Sequence, residues 1–144
     1  TMAVIDLDHF KKVNDNYGHA KGDDVLRATA HALQSDDDTL SVRLGGEEFL
    51  LLLRGKNTAA RAEQRRQAIS SRVAANVPGL DRMVTASMGL VEHSLGSLMR
   101  ADFATLYAQC DRLLYEAKEA GRNRTMSEKI RGFSGHAPPI EATG

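Results

Sequence analysis

A single cysteine in 144 residues leaves no intramolecular disulfide framework to hold this chain together and fits a reducing compartment. That residue, Cys110, falls in an apolar helical stripe, where a buried structural thiol is expected rather than a nucleophile. Excess charge of either sign is missing too, with 19 Lys plus Arg against 19 Asp plus Glu. A balanced chain has no field to draw it onto a nucleic-acid backbone or an acidic membrane, so neither is an expected partner. If the chain binds phosphates, a few placed side chains and a metal are expected to meet them rather than a broad basic face. No apolar run approaches the roughly 20 residues of a membrane span. The longest, Phe49 to Leu53, has the length of a buried strand. With nothing like a signal peptide at the start, and no repeat or interdomain linker, the expectation is one soluble, cytoplasmic domain.

What is present begins abruptly. Thr1-Met2-Ala3-Val4-Ile5-Asp6 already has the character of a core strand, which predicts that the chain is a piece of something longer. A helical turn through His9–Val13 and a loop over Tyr17–Gly22 come next, followed by a helix from Asp23 with Val25, Leu26, Thr29, Ala30 and Leu33 at three-to-four spacing. Thr39–Leu44 and Glu48–Leu53 are β-rich runs on either side of Gly45-Gly46, a hairpin signal. Asn57 to Val77 reads as a helix with Asn57 or Thr58 as N-cap and Ala60, Gln64, Ile69 and Val73 turned inward. Met83–Glu92 reads as a strand in which Gly89 can mark a bulge. Phe103–Ala120 carries a continuous apolar stripe and is closed by Gly121. Residues 127–144, rich in Gly, Pro, Ser and Thr after Arg131, predict a flexible tail and leave 1–126 as the domain. The element order predicts an α+β fold, the β-α-β-β-α-β ferredoxin-like or palm arrangement with an added helix.

Two constellations carry candidate chemistry. Asp6-Leu7-Asp8-His9-Phe10-Lys11 lies where the first strand passes into a helix. Asp6 and the Leu7 carbonyl there can offer hard oxygens to magnesium, which takes one or two carboxylates and completes its shell with phosphates. Free N–H groups at the helix start can receive phosphate oxygens, and Lys11 lies one turn in. The structural alternative makes Asp8 an N-cap and leaves Asp6 and Lys11 as surface charges. Arg43-Leu44-Gly45-Gly46-Glu47-Glu48-Phe49 is the second constellation. A turn without side chains admits a ligand to the backbone, and Glu47 and Glu48 offer a metal ligand and a general base. Adjacent strand residues point to opposite faces, so in a regular strand only one of the two glutamates can face Asp6.

Taken together, Asp6-x-Asp8-x-Phe10-Lys11-x-x-Asn14-Asp15, Gly18-His19-x-x-Gly22-Asp23 and Gly45-Gly46-Glu47-Glu48-Phe49 closely resemble the GGDEF family of diguanylate cyclases, in its GGEEF form. Thr85-Ala86-Ser87-Met88-Gly89 and Tyr115-x-Ala117-Lys118-x-x-Gly121-Arg122-Asn123 resemble that family's downstream signatures, so the likeness runs from Val4 to about Arg124. It implies a palm-type nucleotidyl cyclase fold, a central, mainly antiparallel sheet flanked by helices. The implied activity is condensation of two GTP into cyclic di-GMP with release of pyrophosphate, in bacterial second-messenger signalling. It implies Mg2+ (or Mn2+) held by Asp6, the Leu7 carbonyl, Glu47 and Glu48, with Glu47 the preferred ligand and proton acceptor. Lys11, Lys118 and Arg122 match positions that hold the triphosphate, although Lys118 and Arg122 also read as cations suiting a helix C-terminus. Asn14 and Asp23 match guanine-reading positions, and a carboxylate can accept from both guanine N1–H and the N2 amino group. The alternative for Asp23 is a helix N-cap, and its two oxygens could serve both roles. Phe10 belongs with the substrate positions, and His19 either contacts the nucleotide or orders its loop. Because each domain of the family holds one GTP, the implied partner is a second copy, with an N-terminal sensor or dimerisation region in the full-length protein.

The sequence departs from the family in two places. Where many relatives carry an inhibitory Arg-x-x-Asp site, this chain has Asp36-Asp37-Asp38-Thr39, an acidic run that should repel a dianionic product. The helix and Asn-Arg-Arg-like stretch that precede the first strand in relatives are also missing. Rival readings are an inactive domain that binds GTP as a sensor or scaffold, another palm-type cyclase or polymerase, and a non-catalytic receptor for cyclic di-GMP.

Overall fold

A computed structural model of the protein describes residues 1–93 and 102–130. The described elements run β1 (Met2–Leu7), α1 (Phe10–Tyr17), α2 (His19–Ala32), β2 (Thr39–Gly45), β3 (Glu48–Leu53), α3 (Thr58–Asn76), β4 (Ala86–His93), α4 (Phe103–Glu119) and β5 (Thr125–Ile130). The strands form one mixed sheet in the order β2-β3-β1-β4-β5, antiparallel except for the parallel β4–β5 pair. This is the expected palm-type arrangement, extended by a fifth strand.

β1 is central and apolar on both faces, as a strand covered on both sides must be. Ala3, Ile5 and Leu7 enter the core under α1, α2 and α3, while Met2 and Val4 pack with Leu50, Val91, Cys110, Leu113 and Leu114 under α4. Period-two alternation therefore puts Asp6 on the α4 face, at the end of the strand. The apolar stripe of α4 does what its spacing predicts, burying Cys110, Leu113, Leu114 and Ala117. Burial pushes the Cys110 thiol up to about 12. It donates to the Met2 carbonyl at 3.2 Å, as befits a structural thiol.

Several expectations are corrected. Residues 127–130 are not tail but part of β5, recruited to the sheet by parallel pairing with β4; residues 131–144 lie outside the described residues. His19–Gly22 are not loop but the first turn of α2, which restarts directly after Gly18. Gly22 acts there as a point of close approach: a Cβ on it would lie 1.9 Å from the Asn14 side-chain oxygen. Asp23 is thus inside α2 and is not its N-cap. The first turn of α1 is entered through His9 at φ 55°, with no side-chain cap, so Asp8 is not an N-cap either. Ala60 and Gln64 face solvent, and α3 instead buries Thr58, Ala62, Arg66, Ile69 and Val73. Gly89 sits in regular register, with no bulge. It lets α4 press onto β4, since a Cβ there would meet the Cys110 carbonyl oxygen at 2.0 Å.

Candidate active site

The hairpin between β2 and β3 turns through Gly46 (φ 51°) and Glu47, and a register shift between Arg43 and Gly45 brings Gly45 opposite Glu48. Arg43 braces the turn, its Nε donating to the Gly46 carbonyl at 2.9 Å. On the other side of β3, Glu48 is the direct cross-strand partner of Asp6. Residues so paired have Cβ atoms about 4.5–5.5 Å apart, and like charges there repel unless compensated. The protein compensates each one. Lys118 Nζ stands 2.9 Å from Asp6 Oδ2 in a part-buried ion pair. Tyr107 donates its hydroxyl to Glu48 Oε1 at 2.8 Å. That bond to the carboxylate, helped by burial, pushes the Tyr107 phenol up to about 12. Tyr107 also stacks on Phe103, with ring centroids 6.0 Å apart. Glu47, in the turn, accepts from the Leu7 N–H through its backbone carbonyl at 3.3 Å.

The donor chemistry here fits magnesium or manganese. Asp6, Glu47, Glu48 and the Leu7 carbonyl are all hard oxygen donors at the same end of β1 and β3. Among the described residues no three or more His, Cys, Asp or Glu converge as a ready-made ion cage. Such a partial shell suits an ion that completes its octahedron with water and phosphate oxygens.

The end of α4 supplies the cations. Gly121 and Arg122 return their N–H groups to the Lys118 and Ala117 carbonyls at 3.3 and 3.0 Å, the paired closure of a Schellman motif. Arg122 Nη1 reaches the Lys118 carbonyl at 3.4 Å, so its guanidinium lies beside the turn that carries Lys118. Asp8 anchors this region from below. Its carboxylate is buried and accepts from Thr85 Oγ1 (2.7 Å), Ser87 Oγ (2.7 Å) and the Asn123 N–H (3.0 Å).

A second group forms between α1 and α2, where Phe10 and the half-buried Asn14 face Gly22, next to the exposed Asp23. His19 is exposed on the first turn of α2. Lys11 is apart from both groups, 89% exposed and paired loosely with Asp15 at 3.4 Å. The structure thus joins Asp6, Glu48 and Lys118, with Arg122 beside Lys118, and sets Phe10 and Asn14 against Gly22, the residue before Asp23, with Leu7 and Glu47 bonded through their backbones. Sequence reasoning missed Tyr107, whose helical spacing reads only as core, and Asp8 as a hub.

The family model for the GGDEF domain of diguanylate cyclases matches residues 1–124. The chain belongs to the GGDEF family. Diguanylate cyclase VdcA of Vibrio cholerae is 41% identical over 133 residues, covering 88% of this chain and 38% of that protein. The probable diguanylate cyclase DgcT of Escherichia coli is 36% identical over 140 residues, covering 92% and 30% respectively. The chain therefore spans about a third of the length of such relatives. Among solved structures, the active GGEEF domain of a diguanylate cyclase from Vibrio cholerae superposes with a TM-score of 0.68 at 34% identity, covering 88% of this chain and 80% of that one. The GGDEF domain of DgcB from Caulobacter crescentus, in complex with c-di-GMP, gives a TM-score of 0.73 at 31% identity, covering 88% and 75%. GGDEF membership accounts for the five motifs together and for the fold that carries them.

Proposed function

We propose that this GGDEF domain is one half of a diguanylate cyclase, binding one GTP and completing catalysis face to face with a second copy. The observation that carries the reading is the Asp6–Glu48 pair, set across β1 and β3 beside the Gly45-Gly46 turn and neutralised on one side by Lys118.

In this reading Asp6, the Leu7 carbonyl, Glu47 and Glu48 hold the ion, Mg2+ or Mn2+. When bound, it supplies Lewis acidity at the ribose 3′-hydroxyl and the α-phosphate. Lys118, Arg122 and, after rotation away from Asp15, Lys11 neutralise the triphosphate. With Asp6 engaged by an ion, the Lys118 ammonium that now pairs with it would be free for that task. The N–H groups at the start of α1 receive phosphate oxygens. The Asp23 carboxylate accepts from the guanine N1–H and N2 amino group and the Asn14 amide donates along the same edge, with Phe10 packing beneath and His19 at the rim. An adenine would set a lone pair against the Asp23 carboxylate, a mismatch that such sites reject strongly. Glu47 accepts the proton as the 3′-oxygen of one GTP bonds to the α-phosphorus of the other and pyrophosphate leaves. Repetition in the opposite sense closes the ring and releases the second pyrophosphate. An N-terminal region in the full-length protein brings two copies together, and the domain itself works in the cytoplasm.

The test is cyclic di-GMP formation from GTP and magnesium over a range of protein concentrations. A rate per molecule that rises with concentration is expected. No product at any concentration, even with the domain fused to a strong dimeriser, would overturn the reading in favour of an inactive GTP-binding domain.

A further inference from the structure

Directly after α4, two consecutive residues with side chains, Arg122 (φ 64°) and Asn123 (φ 49°), occupy the left-handed backbone region. Most L-residues are strained there, Asn less than others, and two in succession stay where their surroundings fix them. The closure of α4 holds the Arg122 N–H, and Asp8 holds the Asn123 N–H at 3.0 Å. A third restraint comes through the edge of the sheet. Arg66 of α3, its side chain only 8% exposed, sends Nη1 to both the Asn123 side-chain oxygen (3.1 Å) and the Ala86 carbonyl (3.0 Å).

The rest of that guanidinium is already satisfied. Nε and Nη2 grip the two oxygens of Glu63 at 3.0 and 2.6 Å, and Thr125 at the start of β5 donates to the same carboxylate at 2.5 Å. A buried cation needs a counter-charge, and Glu63 provides one within α3 itself. The reach of Nη1 to Asn123 is therefore additional to the charge pairing that burial of Arg66 requires. It joins α3, on one face of the sheet, to the loop that presents Arg122 beside Lys118.

We propose that Arg66 is a positioning residue for triphosphate binding: through Asn123 it fixes the left-handed step that aims the Arg122 guanidinium. The proposal rests on the phosphate-holding roles of Lys118 and Arg122 given above. A planar fork is needed, because one ammonium cannot serve Glu63, Ala86 and Asn123 in these directions.

Arg66→Lys keeps the charge beside Glu63 and removes the fork. Two readouts are taken on the whole chain: amide hydrogen exchange at Asn123, and calorimetric titration with the non-reactive α,β-methylene analogue of GTP. Faster exchange at Asn123, unchanged exchange in β1 and β4, and analogue binding weakened on the order of tenfold are expected. In a steady-state assay the loss should fall on KM, with kcat at saturation nearly unchanged. Glycine adopts the left-handed step unaided, so on an Asn123→Gly background the same Arg66→Lys change should alter affinity by less than about twofold. Equal losses in the two backgrounds would mean a general structural role and overturn the proposal. Unchanged exchange at Asn123, or wild-type affinity in Arg66→Lys, overturns it as well while leaving the functional reading standing. A wild-type chain that binds no analogue overturns both.

Discussion

Lys118, in the last turn of α4, places its ammonium 2.9 Å from the carboxylate of Asp6 at the end of β1, across 112 residues of sequence. Asp6 is at the same time the cross-strand neighbour of Glu48. With Tyr107 on Glu48, this lysine makes tolerable an acidic pair that would otherwise repel itself at the ends of two interior strands. In Lys118→Met that repulsion is exposed. A loss of about 1 kcal/mol is expected from the removed pair, or about 4 °C in Tm for a domain of this size. Added magnesium should recover more Tm in the variant than in the wild type, because the ion takes over the neutralising charge. Differential scanning calorimetry with and without magnesium checks this; equal magnesium responses in the two proteins would count against ion binding at Asp6.

Gly22→Ala tests the second cluster. A Cβ at this position would come within 1.9 Å of the Asn14 side-chain oxygen and 3.3 Å of the Phe10 ring. The Asn14 amide is the far end of a flexible side chain and can swing away, so the fold should survive with a loss of about 1 kcal/mol. The guanine-reading geometry proposed for Asn14 should not survive. GTP affinity and the preference for GTP over ATP are expected to fall on the order of tenfold in competition binding.

Gly89→Ala should behave differently because nothing there can yield cheaply. Its Cβ would face the Cys110 carbonyl oxygen at 2.0 Å and the Leu114 nitrogen at 2.5 Å, both backbone atoms of α4. The helix must lift from β4, at a cost of about 3 kcal/mol or more. Thermal unfolding, together with exposure of Cys110 to a thiol reagent in the native state, reads the lift directly.

Acid should weaken the fold through Glu63. Burial alone would raise its carboxyl, but hydrogen bonds from Arg66, Thr125 and Gln67, with the Arg66 charge, outweigh burial and hold it below the usual 4.5. A depressed native value gives stability that is present above the unfolded value and is lost as pH falls through the folded one. The Tm gap between wild type and Glu63→Gln should therefore be full at neutral pH and close as pH drops below about 4.5. Asp36 and Asp102, also held low by local hydrogen bonds, act alike in both proteins, so the difference isolates Glu63.

Much of this architecture is legible in residue order. The Gly45-Gly46 hairpin, the two-faced β1 and the stripe of α4 announce themselves because each depends on local chemistry or simple periodicity. Misreadings arise where tertiary contact overrides a local signal. Gly22 looks like loop punctuation, yet it is absent side-chain volume inside a helix packed on Asn14. Asp8 looks like an N-cap, yet its partners are Thr85, Ser87 and Asn123. The inward face of α3 is misjudged because a polar Arg66 takes a position that periodicity assigns to an apolar residue. β5, Thr-Met-Ser-Glu-Lys-Ile, is too polar to look like a strand, and only its pairing with β4 makes it one. The candidate site divides the same way. The acidic residues and cations declare their types in sequence, whereas Tyr107 on Glu48, 59 residues away, is a fact of packing alone.

The hub at Asp8 also governs when the site can exist. Its donors Thr85, Ser87 and Asn123 follow it by 77, 79 and 115 residues. During synthesis β1 leaves the ribosome with its carboxylates bare, and the lysine that quiets Asp6 arrives only near the end of the chain. Contacts of such long range close late and set the pace of folding. A nascent or truncated chain that stops before α4 therefore carries the acidic pair but not its cation, and the proposed nucleotide site is assembled only once nearly the entire described chain has been made.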